Sequence, residues 1–298
     1  MKLTDLVKSI GVYSIYSPGG EAVPEPFADF DVTALSCNSR ENLRDAVFVA
    51  VKGAQADGHA FIQDAIRRGA RVVIFEDVRR VVSNKSEDPF ALRPVFIQVP
   101  DSRKALVALA QSFYGYPSKT LPVIGITGTN GKTTISYLVE AIIKQAGKNP
   151  AVIGTVNYRF NGSVMPSINT TPGPVELQHM LRSMVDAGVT HLAMEVSSHA
   201  LDQDRVAGIK FSGAIFTNLT QDHLDYHKGF EEYFQAKAKL FLNLADEAAA
   251  VVNRDDVYGA RLAAMSKGKI VTYGLDEKAD VYACNIRMDI DHTYFTLC

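Results

Sequence analysis

Cysteine is scarce. Three residues, Cys37, Cys284 and Cys298, lie far apart in a chain of 298, a spacing that predicts neither a disulfide framework nor a CxxC metal knuckle. An excess of one charge is missing as well. Lys and Arg number 31 against 33 Asp and Glu, a formal net charge of −2, so nothing basic advertises nucleic acid or an anionic membrane as partner. No apolar run approaches the roughly 18 residues that cross a bilayer. The N-terminus, Met1-Lys2-Leu3-Thr4-Asp5, lacks the apolar core of a signal peptide. Neither a heptad nor an internal repeat is present, which is compatible with a monomer. With 47% hydrophobic and 21% charged residues, the chain reads as a cytoplasmic α/β protein long enough for two domains.

Residues up to about 30 carry Pro18, Gly19, Gly20, Pro24 and Pro26 and read as loop-rich. Thereafter the pattern is an apolar run over 46–51, a helix over 61–69, a β-branched strand over 71–75, a polar loop over 84–89, a strand over 95–99 and a helix over 102–114. Gly115-Tyr116-Pro117-Ser118 stops that helix and reads as a linker. The expectation is a first domain over 1–118 and a second over 119–298. In the second, apolar strands over 123–126, 151–156, 191–196, 213–219, 249–253 and 269–273 alternate with helical stretches. That alternation predicts a mostly parallel sheet covered on both faces, with ligands at the carboxyl ends of its strands. Strands over 280–288 and 293–298 flank a turn at 289–291. The last has no polar tail, so the chain is expected to be cut short.

The strongest chemical signal is Gly125-Ile126-Thr127-Gly128-Thr129-Asn130-Gly131-Lys132-Thr133-Thr134, which follows an apolar strand and precedes a helix. Glycines let backbone N–H groups turn around phosphate oxygens, and the helix N-terminus adds a favourable dipole. Lys132 would neutralise the β/γ-phosphates and the Thr133 hydroxyl would hold Mg²⁺. The motif departs from a strict Walker A, since Ile126 stands where a glycine is expected five residues before Gly131.

Other polar residues are open to two readings. Glu195 ends a strand, where a carboxylate is either a Mg²⁺ ligand facing the phosphate loop or a solvated loop residue. His223, with Asp222, Asp225 and His227 nearby, is either part of a metal cluster or one of two incidental histidines beside capping aspartates. Lys237 falls in the apolar stripe of Phe230, Tyr233, Phe234, Leu240, Phe241 and Leu244, whereas Lys239 points elsewhere. It either snorkels to solvent or is buried with a depressed pKa, able to react with CO₂. Thr170, Thr171, Ser197, Gln203 and Arg205 read singly as turn and cap chemistry.

Thr127-Gly128-Thr129-Asn130-Gly131-Lys132-Thr133-Thr134 resembles the nucleotide loop of the Mur ligase family. So do Asn169-Thr170-Thr171-Pro172, the run from Met194 to Leu201, Gln203, Arg205 and the run from Phe216 to His227, in order and spacing. In the first domain Ser39-Arg40, 48–53 and Asp57-Gly58-His59 also fit. The match is best with members that add the third peptide residue of the peptidoglycan precursor. It implies a small N-terminal α/β domain that binds the UDP-muramoyl substrate, then a mostly parallel-sheet P-loop ATPase domain, with the family's C-terminal ligase domain missing. It also implies ATP and Mg²⁺ as cofactors, and UDP-N-acetylmuramoyl dipeptide plus a diamino acid, diaminopimelate or lysine, as partners. Residues 128–134 would bind ATP, and Lys132, Glu195, His223 and Lys237 would be catalytic. Thr133, Glu195, His223 and a carbamylated Lys237 would serve the metal. Thr170, Thr171, Ser197, Gln203 and Arg205 would hold the muramoyl dipeptide, with Ser39, Gln55 and Ala56 at its uridine diphosphate end. Asn38 departs from the family's usual Asp before Ser-Arg. A sister amide ligase and a non-catalytic precursor-binding protein are the rival readings.

Overall fold

The computed structural model describes residues 1–17, 21–22, 29–53, 56–79, 94–222 and 226–298. The expected polar loop over 84–89 and the prolines and glycines at 18–20, 24 and 26 lie outside them. The chain divides into two compact units, one of residues 1–116 with 174–179, the other of 117–173 with 180–298.

The first unit contains strands β1 (Ser14–Tyr16), β2 (Ala34–Ser36), β3 (Ala46–Val49), β4 (Ala70–Phe75) and β5 (Val95–Gln98), with helices α1 (Leu3–Val7), α2 (Ile62–Arg67) and α3 (Ser102–Phe113). Their order is β1-β5-β4-β3-β2; only β1 runs antiparallel. Alternate residues feed opposite faces. Val47, Val49, Val72 and Ile74 pack with Leu6 of α1 and Leu106 and Leu109 of α3, while Ala46, Phe48, Val73 and Phe75 pack with Ile62 and Ala65 of α2. Each such valine, leucine, isoleucine or phenylalanine contributes about 1.5–3 kcal/mol by leaving water, which is why these strands read as continuous apolar runs. The helix expected over 61–69 is shorter, a 3₁₀ turn at Gly58–Phe61 leading into α2.

The second unit is a ten-stranded sheet. Its strands are β6 (Val123–Thr127), β7 (Pro150–Ile153), β8 (Asn157–Phe160), β9 (Ser163–Pro166), β10 (His191–Glu195), β11 (Phe211–Phe216), β12 (Ala249–Asn253), β13 (Lys269–Gly274), β14 (Val281–Met288) and β15 (Thr293–Leu297). Helices α4 (Lys132–Gln145), α5 (Pro174–Asp186, whose residues 174–179 are counted with the first unit), α6 (Ser198–Asp202), α7 (Phe230–Leu242) and α8 (Val257–Met265) connect them. The order β15-β14-β13-β12-β11-β6-β10-β7-β8-β9 is parallel from β14 to β7. β6 lies between β10 and β11, with Ile126 opposite Glu195 and Thr127 opposite Phe216. The carboxyl ends of all three strands therefore meet at a point where the connections diverge.

Two features differ from expectation. The antiparallel hairpin β8–β9 has no counterpart in the sequence reading, although Asn161-Gly162, with φ 48° and 79°, is the dipeptide of a tight hairpin turn. The cysteines are not all distant either. In the antiparallel ladder of β14 and β15, Cys284 stands opposite Thr296, and its Sγ lies 2.7 Å from that of Cys298. Fourteen residues of sequence separation collapse because the chain reverses between them. Among the described residues no helix is long and apolar enough to cross a membrane.

Candidate functional site

The loop after β6 is shaped by two glycines. Gly131 precedes α4 in the left-handed region at φ 85°. At Gly128, φ 146°, a Cβ would collide with Thr217 Oγ1, so only glycine fits. The end of β11 scaffolds the loop from beside it. Thr217 Oγ1 donates to Asn130 O at 2.7 Å, and Asn218 accepts from the N–H groups of Thr129 (2.8 Å, to its carbonyl) and Asn130 (3.0 Å, to its Oδ1). The Thr129 hydroxyl meets Thr220 N at 3.0 Å, Thr220 O at 3.2 Å and the Tyr233 hydroxyl at 3.2 Å. Thr129 and Asn130 are thus bonded to the neighbouring strand end. The N–H groups that helix geometry leaves without an intrahelical acceptor are those of Lys132, Thr133 and Thr134, at the positive end of α4. The Thr134 side chain is exposed.

Lys132 Nζ donates to Gly128 O and Thr129 O, both at 2.8 Å. Burial lowers its pKa, and the negative charges of Glu195 and Asp222 oppose that shift. Thr133 Oγ1 donates to Glu195 Oε1 at 2.9 Å. Glu195 is no solvated loop residue. It is 1% exposed, and it also accepts from Thr155 N at 3.1 Å and Thr155 Oγ1 at 2.8 Å. A Cβ at Gly154 would fall on its Oε1.

Lys237, on α7, is 1% exposed and does not snorkel. Its Nζ donates to Gly128 O at 2.9 Å and sits 4.4 Å from the centre of the Tyr233 ring. Lys239, two residues on, has a side chain 41% exposed. Burial, reinforced by the charge of Lys132 and opposed by Asp222, pushes the Lys237 pKa well below the ordinary lysine value, favouring the neutral amine. The expected apolar stripe is buried around it except for Phe230, whose place at the first position of α7 leaves it 39% exposed.

The dipeptide candidates gather beside Glu195. Thr171 Oγ1 donates to Glu195 O at 2.9 Å and accepts from Ser197 N at 3.1 Å. Arg205 Nη1 donates to Thr171 O at 3.1 Å, while its Nε and Nη2 grip Gln203 Oε1 at 3.0 and 2.7 Å. Thr170 Oγ1 is 3.1 Å from Thr155 Oγ1, and Ser197 caps α6 by accepting from Ala200 N. His223 and Gln55 lie outside the described residues. Asp222 is exposed; His227 is 4% exposed, its ring packed among those of His199, Tyr226 and Tyr233. Among the described residues no group of three or more His, Cys, Asp or Glu is placed to hold a metal. The Thr133 hydroxyl and Glu195 carboxylate, bonded to each other at the helix start, are nevertheless the hard oxygen donors that Mg²⁺ takes.

In the first unit Ser39 is buried in the wall of a cleft of about 540 Å³ that it shares with Arg40, Phe61, Asp64, Arg67 and Arg68. Asn38 Oδ1 accepts from Arg40 N at 3.1 Å, the turn bond an aspartate would make. Ala56 is exposed and its carbonyl accepts from Gly53 N.

Sequence reasoning gave no role to Thr155, Thr217, Asn218, Thr220 or Tyr233. Thr217, Asn218 and Thr220 sit within a family-like run, the available signal for them. Thr155 carries none, and Tyr233 is masked by its place in an apolar stripe.

The profile of the Mur ligase middle domain matches residues 126–298, and that of the Mur ligase family, catalytic domain, matches 31–114. The UDP-N-acetylmuramoyl-L-alanyl-D-glutamate--2,6-diaminopimelate ligase of Geobacter sulfurreducens is 45% identical over 273 residues, covering 90% of this chain and 52% of its own length. Its namesake from Geobacter metallireducens is 42% identical over 303 residues, covering 100% and 56%. A solved structure of a ligase of that name superposes with a TM-score of 0.73 at 30% identity, over 89% of this chain and 53% of the other. The chain spans about half the length of the curated relatives it matches. With more than half of its residues under the middle-domain profile and the phosphate loop at the meeting of β6, β10 and β11, this chain belongs to the Mur ligase family.

Proposed function

We propose that the protein is an ATP-dependent ligase that joins 2,6-diaminopimelate to UDP-N-acetylmuramoyl-L-alanyl-D-glutamate, a cytoplasmic step of peptidoglycan precursor synthesis. The γ-phosphoryl group of ATP passes to the free D-glutamate carboxylate, giving an acyl phosphate and ADP. The amine of the diamino acid then attacks the acyl carbon, loses a proton and expels phosphate. The carrying observation is the convergence of Lys132, Thr133 and Glu195 at the N-terminus of α4, since positioned charge is the main need of phosphoryl transfer. Lys132 and the free N–H groups of 132–134 hold the phosphates. Thr133 and Glu195 are the residues that would hold Mg²⁺, with His223 and Lys237 joining them in this reading. The metal supplies positive charge that offsets the phosphate oxygens when bound. Neutral Lys237 is disposed to add CO₂ and release a proton, which makes it an anionic carbamate. Thr170, Thr171, Ser197, Gln203 and Arg205 hold the muramoyl dipeptide, and Ser39, Gln55 and Ala56 its uridine diphosphate end. The names of the relatives support diaminopimelate over lysine.

The test is ADP release by the full-length protein with both co-substrates. Lys132→Ala abolishes it if this reading holds; substrate-dependent ADP release left intact overturns it. Offering lysine in place of diaminopimelate separates the two diamino acids.

A further inference from the structure

Every hydrogen-bonding position of the Thr129 hydroxyl can be assigned. The group has one hydrogen and two lone pairs. Thr220 O, at 3.2 Å, is an acceptor and takes the hydrogen. Thr220 N–H, at 3.0 Å, is a donor and fills one lone pair. The Tyr233 hydroxyl, at 3.2 Å, is left to donate into the other. Thr129 is 7% exposed and Tyr233 1%, so water does not substitute for a lost partner, and a buried orphan is costly.

Tyr233 precedes Lys237 by one helical turn, which puts both on the same face of α7. Two successive loop residues are held by that face: Thr129 by the Tyr233 hydroxyl and Gly128, through its carbonyl, by Lys237 Nζ. The Tyr233 ring also lies against the Lys237 amine. A phenylalanine would fill the same space but lose the bond to Thr129.

We propose that Tyr233 is a positioning residue for the phosphate loop, fixing Thr129 with its hydroxyl and shielding the Lys237 amine with its ring. This rests on the reading that the loop receives the phosphates of ATP.

The experiment is calorimetric titration of the full-length protein with ADP and magnesium, on wild type, Tyr233→Phe, Thr129→Val and the double variant, each with its unfolding temperature without ADP. Tyr233→Phe is expected to weaken ADP binding about fivefold, the worth of one hydrogen bond. The double variant should bind no more weakly than Thr129→Val, because both substitutions break the same contact. Wild-type affinity in Tyr233→Phe, with or without a lowered unfolding temperature, overturns the proposal, as do effects that multiply in the double variant. No ADP binding by the wild type overturns the nucleotide reading itself. A second readout is acetylation of lysines by acetic anhydride, mapped by mass spectrometry. Lys237 should be modified faster in Tyr233→Leu and at the wild-type rate in Tyr233→Phe; equal protection in all three overturns the shielding. Where Tyr233→Leu does not fold, Tyr233→Met, which also lacks the ring, carries the shielding test with the same expected result.

Discussion

The amino groups of Lys132 and Lys237 share one acceptor, the carbonyl oxygen of Gly128, at 2.8 and 2.9 Å. Two like charges so close do not coexist cheaply in a buried place. The more buried group yields: Lys237 is driven toward the neutral amine by desolvation first and by Lys132 second. Burial lowers the Lys132 pKa as well, but there the charges of Glu195 and Asp222 oppose the shift.

A neutral amine reacts with CO₂ where an ammonium does not. In isotope-labelled bicarbonate, the full-length protein is expected to show a carbamate carbon resonance that is absent from Lys237→Met. A resonance of equal intensity in that variant would place the carbamate elsewhere.

Gly128→Ala forces a Cβ onto Thr217 Oγ1 and against the Asn218 backbone, at a φ of 146° that side chains rarely adopt. It should destabilise the fold by about 2 kcal/mol through overpacking and strain. Adding Thr217→Ala should recover only part of that, because the Asn218 contact and the backbone strain persist. Urea unfolding of the single and double variants measures both.

Glu140, on α4, is held by Arg159 of β8 through two bonds, the shorter 2.6 Å, and by Lys144 at 2.9 Å. Burial alone would raise its pKa. The bonds from Arg159 and Lys144 outweigh burial and hold the carboxyl below its ordinary 4.5. A lowered carboxyl pKa contributes stability that is fully present above the unfolded value and lost as pH falls through the folded one. Glu140→Gln should therefore cost about 2 kcal/mol at pH 7 and progressively less in acid. A deficit independent of pH would mean that the charge contributes nothing.

Cys284 and Cys298, with Sγ atoms 2.7 Å apart, should be bridged by a short bifunctional thiol reagent. Peptide mapping is expected to find one linked pair spanning the β14–β15 hairpin, with Cys37 modified singly. Two single modifications at Cys284 and Cys298 would show that the hairpin register differs.

Much of this protein was legible along the chain. The parallel strands fall where apolar runs alternate with helical stretches. The phosphate loop was visible because its glycines, lysine and threonine lie within a few residues. Lys237 stood out because an ionisable group in an apolar helical stripe violates the period of its neighbours. The β8–β9 hairpin was missed because a short pair with one polar face leaves little hydrophobic signal, even with Asn161-Gly162 at its turn.

Local periodicity and turn chemistry are properties of adjacent residues, so the sequence by itself determined the α/β class, the loop and the odd place of Lys237 in an apolar stripe, while its burial, 1% exposed, was decided by the tertiary structure. It did not determine that β6 lies between β10 and β11. That order is set by which strands bury apolar faces together, and it alone brings Glu195 to Thr133, Thr217 to Asn130 and Tyr233 to Thr129 across 62, 87 and 104 residues. Periodicity and spacing carry no signature of those contacts, because each partner is ordinary among its own neighbours; only the loop motif and the family resemblance pointed to Glu195, Thr133 and Thr217, and nothing pointed to Tyr233.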